Sequence, residues 1–113
     1  MSDCIFCKII KGEIPSDKLY EDEGVIAFRD IKPLAPVHFL VMPKAHIKSA
    51  ADITDGNSAA VARCFEVIAE LARREKLDEG FRVINNCGEN AGQTVPHIHF
   101  HVIAGLPLDE KTM

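Results

Sequence analysis

The chain has 113 residues, enough for one core that buries roughly two-thirds of the surface its unfolded form exposes, and too few for a second domain. Hydrophobic residues make up 47% and charged residues 27%, which excludes disordered and collagen-like chains. Thirteen Lys and Arg against 17 Asp and Glu leave a net charge of −4, which argues against charge-driven binding to nucleic acid or anionic membrane, so any phosphate must be held locally.

No apolar run approaches the ~18 residues a membrane-spanning helix needs, and the opening MSDCIFCKIIKGE is too short and too charged for a secretory leader. The expectation is one domain over residues 1–113, cytoplasmic, with neither membrane nor nucleic acid as partner. In a reducing compartment the cysteines Cys4, Cys7, Cys64 and Cys87 point to thiols or a metal site, not to disulfides.

In chain order, Ile9 and Ile10 fall in a short helical turn that Gly12 and Pro15 end. Residues 18–21 and 25–30 read as a hairpin with Gly24 in its turn. Pro33 and Pro36 break the chain, and the apolar run 37–42, bounded by Pro36 and Pro43, reads as a third strand. From 57 to 77 the positions of Val61, Cys64, Phe65, Ile68, Leu71 and Ala72 trace the stripe of an amphipathic helix, capped by Asp55 or Asn57 and ended by Gly80. Residues 81–84 and 97–103 supply two more strands, and the order β-β-β-α-β-β predicts an α+β fold built from hairpins.

The last predicted strand, His97-Ile98-His99-Phe100-His101-Val102-Ile103, alternates imidazole with apolar side chains, so strand geometry puts three rings on one face. Ile98, Phe100 and Val102 then face the amphipathic helix. Imidazole fills a half-buried strand poorly because both ring nitrogens need partners. Two readings stand: a metal cage, and an anion-handling catalytic site. The preceding loop holds Asn86, Cys87, Gly88, Gly92, Gln93 and Thr94. Its glycines let backbone N–H groups approach a phosphate, and Gln93 and Thr94 add neutral donors. Imidazole beside such a cradle points to attack on phosphorus.

The run from Gly92 to Ile103 resembles the signature of the histidine triad (HIT) family, His-φ-His-φ-His-φ-φ with φ apolar. Ile5-Phe6, Gly12-Glu13-Ile14-Pro15, Ala27-Phe28, Asp30-Ile31, Ala35-Pro36, His38-Phe39-Leu40-Val41, Pro43-Lys44 and His46-Ile47 extend the likeness to the nucleotide-binding branch over about residues 4–105. The resemblance implies a five-stranded antiparallel sheet per subunit, with one long helix and a short N-terminal one, in a homodimer. It implies a purine nucleotide pocket and cleavage of the P–N or a related bond of nucleoside 5′-phosphoramidates or adenylates. His99 would be the nucleophile, its Nδ1–H tied to the His97 carbonyl so that Nε2 attacks phosphorus and a nucleotidyl-histidine forms.

His101 would stabilise phosphoryl charge or hand a proton to the leaving amine, and His38 corresponds to a further active-site histidine. Asp30 matches the acid that accepts both ribose hydroxyls. Phe6, Ile9, Phe28, Ile31 and Leu40 match the walls around base and ribose; taken alone they read as core. Asn86, Gly92, Gln93 and Thr94 fall on the phosphate side. Well-known eukaryotic members carry a tryptophan near the C-terminus that shapes the leaving-group side. This chain has none, and its tail from Gly105 to Met113 differs.

Cys4-Ile5-Phe6-Cys7 has the spacing by which two thiolates grip one zinc, with His46 and His97 as candidates for the other two ligands. A thioredoxin-like redox pair is disfavoured because that motif follows a strand. Some family members carry a zinc site of this composition, and the resemblance implies a structural zinc on Cys4, Cys7, His46 and His97, with no organic cofactor. Two other functions compete with the hydrolase: a nucleotide-binding or interaction module with incidental hydrolysis, and a metal-dependent hydrolase with His97, His99 and His101 as ligands.

Overall fold

The period-2 and period-3.6 patterns of the sequence meet on the two faces of one sheet. The computed structural model describes residues 4–109, so the last four residues of the tail lie outside the described part. Its elements run α1 (Ile5–Ile10), β1 (Lys18–Glu21), β2 (Val25–Arg29), β3 (Val37–Pro43), α2 (Ser58–Arg74), β4 (Arg82–Ile84) and β5 (Phe100–Ala104), with short 3₁₀ turns at Ala50–Asp52 and Glu89–Ala91. The sheet order is β1-β2-β3-β5-β4 and every pairing is antiparallel. The α+β fold expected from the element order is therefore the fold observed.

Alternation along β2 and β3 divides the apolar residues. Val25, Ala27, Phe39 and Val41 point to α2 and pack with its Cys64, Val67, Ile68 and Leu71. Ile98, Phe100 and Val102 join the same layer. Ile26, Phe28, Leu40 and Met42 point the other way and bury Phe6 and Cys7 of α1. This second face carries the histidines.

Two boundaries differ from the sequence reading for backbone reasons. The helix α2 stops at Arg74, because Lys76 turns left-handed (φ 59°) and a Schellman pair closes behind it: Leu77 N–H donates to Ala72 O at 2.9 Å and Lys76 N–H to Arg73 O at 3.2 Å. Gly80 is not the terminator. Asn57 holds the N-cap position, but its Oδ1 accepts from Thr54 N–H at 2.7 Å, leaving no side-chain cap on the helix.

The more consequential difference is at β5, which begins at Phe100, not His97. The β3–β5 ladder ends at the Val41–Phe100 pair, and continuing it would bring Pro43, which has no N–H to donate, opposite Ile98. Ile98 N–H instead donates to Ile47 O at 2.6 Å, and His97 N–H to Val95 O at 2.8 Å. The first two histidines thus sit on irregular backbone that enters the strand.

Candidate functional site

The three histidines do different things because only His101 belongs to the ladder, paired across from Leu40 and Ile84. The buried His99 ring donates Nδ1–H to the His97 carbonyl at 2.7 Å, which leaves Nε2 with its lone pair. Asn85, a residue the sequence reading passed over, donates Nδ2–H to the His99 carbonyl at 2.9 Å and fixes the backbone beneath that ring. Its signal was the polar pair Asn85-Asn86 immediately after β4.

The His101 tautomer follows from a chain of contacts. Leu34 N–H donates to His38 Nδ1 at 3.0 Å, so the neutral His38 ring carries its proton on Nε2. That Nε2–H faces His101 Nδ1 at 2.9 Å and Asp30 Oδ2 at 3.5 Å. His101 therefore accepts at Nδ1 and keeps a proton on Nε2. His99 and His101 are opposite tautomers with ring centroids 5.2 Å apart.

Burial holds these rings uncharged. Desolvation lowers the pKa of His38 and of His99, outweighing Asp30 and, for His99, the His97 carbonyl. Desolvation first, then the neighbouring His99 and His38, push His101 down to about 4. At neutral pH the site offers one imidazole lone pair beside one imidazole N–H.

Both open into a cavity of about 630 Å³. Phe6, Ile9, Phe28, Ile31 and Leu40 line it, with the Phe6 and Phe28 rings edge to face at 5.9 Å. Asp30, Asn86, Gly92 and Thr94 line it as well. Asp30 Oδ1 accepts from Lys32 N–H at 2.8 Å, which holds the carboxylate at the strand end. His38 lies behind His101 and does not reach the cavity wall. Gln93 is also absent from that wall: its amide donates to Lys48 O at 2.8 Å and Val95 O at 3.1 Å and accepts from Gly88 N–H at 2.8 Å, bracing the loop. Ile14, Pro15 and Arg29 line the cavity without having been expected there.

The remaining histidine faces the other way. His97 Nε2 lies 2.8 Å from the Pro43 carbonyl, to which it donates, so Nδ1 carries a lone pair. That nitrogen is 3.6 Å from Cys4 Sγ and 3.6 Å from Cys7 Sγ, while His46 Nδ1 is 3.3 Å from Cys7 Sγ. The four donor atoms lie within 4.8 Å of one another, close enough to bind one metal ion. Bonds of about 2.3 Å to sulfur and about 2.05 Å to nitrogen at tetrahedral angles give an S–N edge of about 3.6 Å, so the donor set fits zinc. Among the described residues a second group, Asp30, His38 and His101, is close enough for a metal; His97, His99 and His101 do not form one.

The HIT domain sequence model matches residues 11–108. A purine nucleoside phosphoramidase of Escherichia coli K12 is 43% identical over 107 residues, which span 94% of this chain and 90% of that protein. A HIT family hydrolase from Clostridium thermocellum superposes with a TM-score of 0.96 at 42% identity, covering 100% of this chain and 99% of the other. A histidine triad protein from Clostridium difficile does so at 0.93 and 50% identity, over 97% and 96% of the two chains. With matches of this extent in sequence and in structure, the chain belongs to the HIT family.

Proposed function

We propose that this protein is a hydrolase of purine nucleoside 5′-phosphoramidates or related adenylates, with His99 as the nucleophile. The observation that carries the reading is the pair of opposed tautomers, a lone pair on His99 Nε2 beside a proton on His101 Nε2, in one cavity with Asp30. The likeness to a purine nucleoside phosphoramidase supports the substrate class.

His99 Nε2 forms a bond to the α-phosphorus as the P–N bond breaks, and the departing nitrogen keeps the electron pair and takes a proton from water. The hydroxyl of that water then adds to phosphorus and the P–His99 bond breaks, releasing nucleoside monophosphate and amine. His101 acts as a neutral donor to a phosphoryl oxygen, because the His38 Nε2–H opposite its Nδ1 leaves no place for a second proton there. Asp30 receives the ribose hydroxyls, and the apolar wall around Phe6 and Phe28 receives the base. Asn86, Gly92 and Thr94 meet the phosphate, while Gln93 holds their loop.

Cys4, Cys7, His46 and His97 would hold a zinc ion, which supplies a structural cross-link between α1 and the histidine segment. Four protein ligands leave no open position, so the chemistry rests on His99 and His101. The place of β4 as an outer strand of the sheet among the described residues, and the half-exposed Phe65, which packs on Phe100 at 4.9 Å, support pairing with a second copy of the chain. Replacing His99 with glycine tests the assignment. With a fluorogenic adenosine phosphoramidate, kcat/KM should fall by about a thousandfold or more, and unchanged turnover would overturn it.

A further inference from the structure

Cys4 caps α1 and Cys7 stands three residues on, in the first turn of that helix. Residues three apart in a helix have Cα atoms about 5 Å from each other, inside the span that a disulfide bridges. Both side chains turn the same way. Cys4 Sγ accepts from Cys7 N–H at 3.4 Å, and His97 Nδ1 is 3.6 Å from either sulfur. A thioredoxin-like pair sits between a strand and a helix; here the helix half is present, with Cys4 at its cap and no strand before it among the described residues.

Both cysteines are buried, but a cavity of about 390 Å³ reaches the cluster they belong to. Cys4 and His46 are part of its wall, together with Lys48 and Pro96, whereas Cys7 and His97 are not. The cavity is many times larger than the roughly 30 Å³ that a water molecule fills, so a small oxidant has room beside Cys4. The other two cysteines lie outside the cluster. Cys64 is wholly buried in the helix-facing core, where burial pushes its thiol up to about 12, and Cys87 is half-buried in the loop after β4.

We propose that Cys4 and Cys7 are an oxidation site as well as a metal site, and that a peroxide entering by this cavity closes them into a disulfide and releases the ion they would hold. The Cys4 thiolate attacks one peroxide oxygen, so that an S–O bond forms, the O–O bond breaks and the departing oxygen leaves as water. The Cys7 thiolate then attacks Cys4 Sγ, forming the S–S bond while the sulfenic oxygen leaves as a second water. The sulfur pair gives up two electrons and the peroxide takes them. The disulfide has lost both thiolate ligands, which leaves only His46 and His97 of the four donors. Dithiols reverse the step by thiol–disulfide exchange.

The test uses the whole protein loaded with zinc and treated with hydrogen peroxide, and its readouts are metal and mass, independent of the hydrolase reading. Trypsin cuts after Lys8, Arg63 and Arg82, so Cys4 and Cys7 leave together in peptide 1–8 while Cys64 and Cys87 leave in two others. A chromogenic chelator should report stoichiometric zinc release in step with a peptide 1–8 lighter by two hydrogen atoms. Dithiothreitol should restore both the peptide mass and zinc binding. Cys87→Ser should release zinc at the same rate, and Cys7→Ser, with no second thiol to close the ring, should stop at a sulfenic acid on Cys4 that dimedone traps in peptide 1–8. Zinc retained at peroxide concentrations that oxidise Cys87 overturns the proposal, as does a reduced protein that takes up no zinc. Release with peptide 1–8 unchanged, or cross-linked to the Cys64 or Cys87 peptide, overturns it too, and a Cys7→Ser protein without the dimedone adduct overturns entry at Cys4.

Discussion

His38 Nε2 sits 2.9 Å from His101 Nδ1, and that contact decides which nitrogen of His101 faces the cavity with a proton. The decision originates in the backbone, because Leu34 N–H occupies His38 Nδ1 at 3.0 Å. His38 is thus a positioning residue. Its ring is buried behind His101, so in the proposed reaction it would act through its neighbour's tautomer.

Replacing His38 with phenylalanine removes the donor while roughly keeping the volume. His101 is then free to hold its proton on either nitrogen, and the loss of one neutral hydrogen bond predicts a fall in kcat of about five- to tenfold with little change in KM. Steady-state kinetics on an adenosine phosphoramidate reads both constants. A rise in KM at constant kcat would instead place His38 among the binding groups.

Much of this site was legible because it is written as alternation. His99, His101 and the apolar residues between them keep period 2 even where the ladder stops, so the helix-facing and cavity-facing sets separate as the pattern implies. The strand start at His97 was misread because pairing depends on the partner: Pro43 ends the ladder from the other side of the sheet. Lys76 was invisible for a similar reason, since nothing in its residue type announces a left-handed backbone. Gln93 carries the chemistry of a phosphate donor, and only the fold reveals that its amide is spent on Lys48 and Val95. Asn85 and the Leu34 amide act on the histidines through backbone atoms, which a side-chain motif does not encode.

Gly105, just after β5, adopts φ +105°, and a Cβ built there would come within 2.9 Å of Pro36 Cβ, immediately before β3. Both the backbone conformation and the contact oppose a side chain. Gly105→Ala is expected to destabilise the fold by about 1–3 kcal/mol in urea titrations at constant m-value. Unchanged stability would mean that the chain end at residues 105–109 shifts freely away from Pro36.

Stability should depend on pH through His101. Its pKa is about 4 in the folded protein against an ordinary 6.5, so between these values the unfolded chain binds a proton that the folded one refuses. The contribution of the neutral ring is complete above pH 6.5 and is lost as pH falls toward 4, with no further loss below that. Burial lowers the pKa of His38 as well, which adds in the same direction. For His101 the loss is about 2 kcal/mol after discounting for partial exposure. Chemical denaturation across this window should show stability rising with pH, and His101→Gln should flatten the slope. An unflattened slope would assign the dependence to other groups.

Metal removal separates structure from chemistry. Cys7 belongs to the four-donor cluster, whereas Asp30, His38 and His101 form the only other metal-sized group among the described residues. Cys7→Ser is expected to lose stoichiometric zinc in elemental analysis and to lower Tm by more than about 5 °C. At a temperature where the variant stays folded, kcat should remain close to that of the unaltered protein. His97 joins the two clusters, since its ring faces the cysteines while its carbonyl accepts from His99 Nδ1–H. Retention of zinc by Cys7→Ser together with loss of activity on chelation would move the metal to the histidine cavity, and would make the reaction metal-assisted instead of nucleophilic at His99.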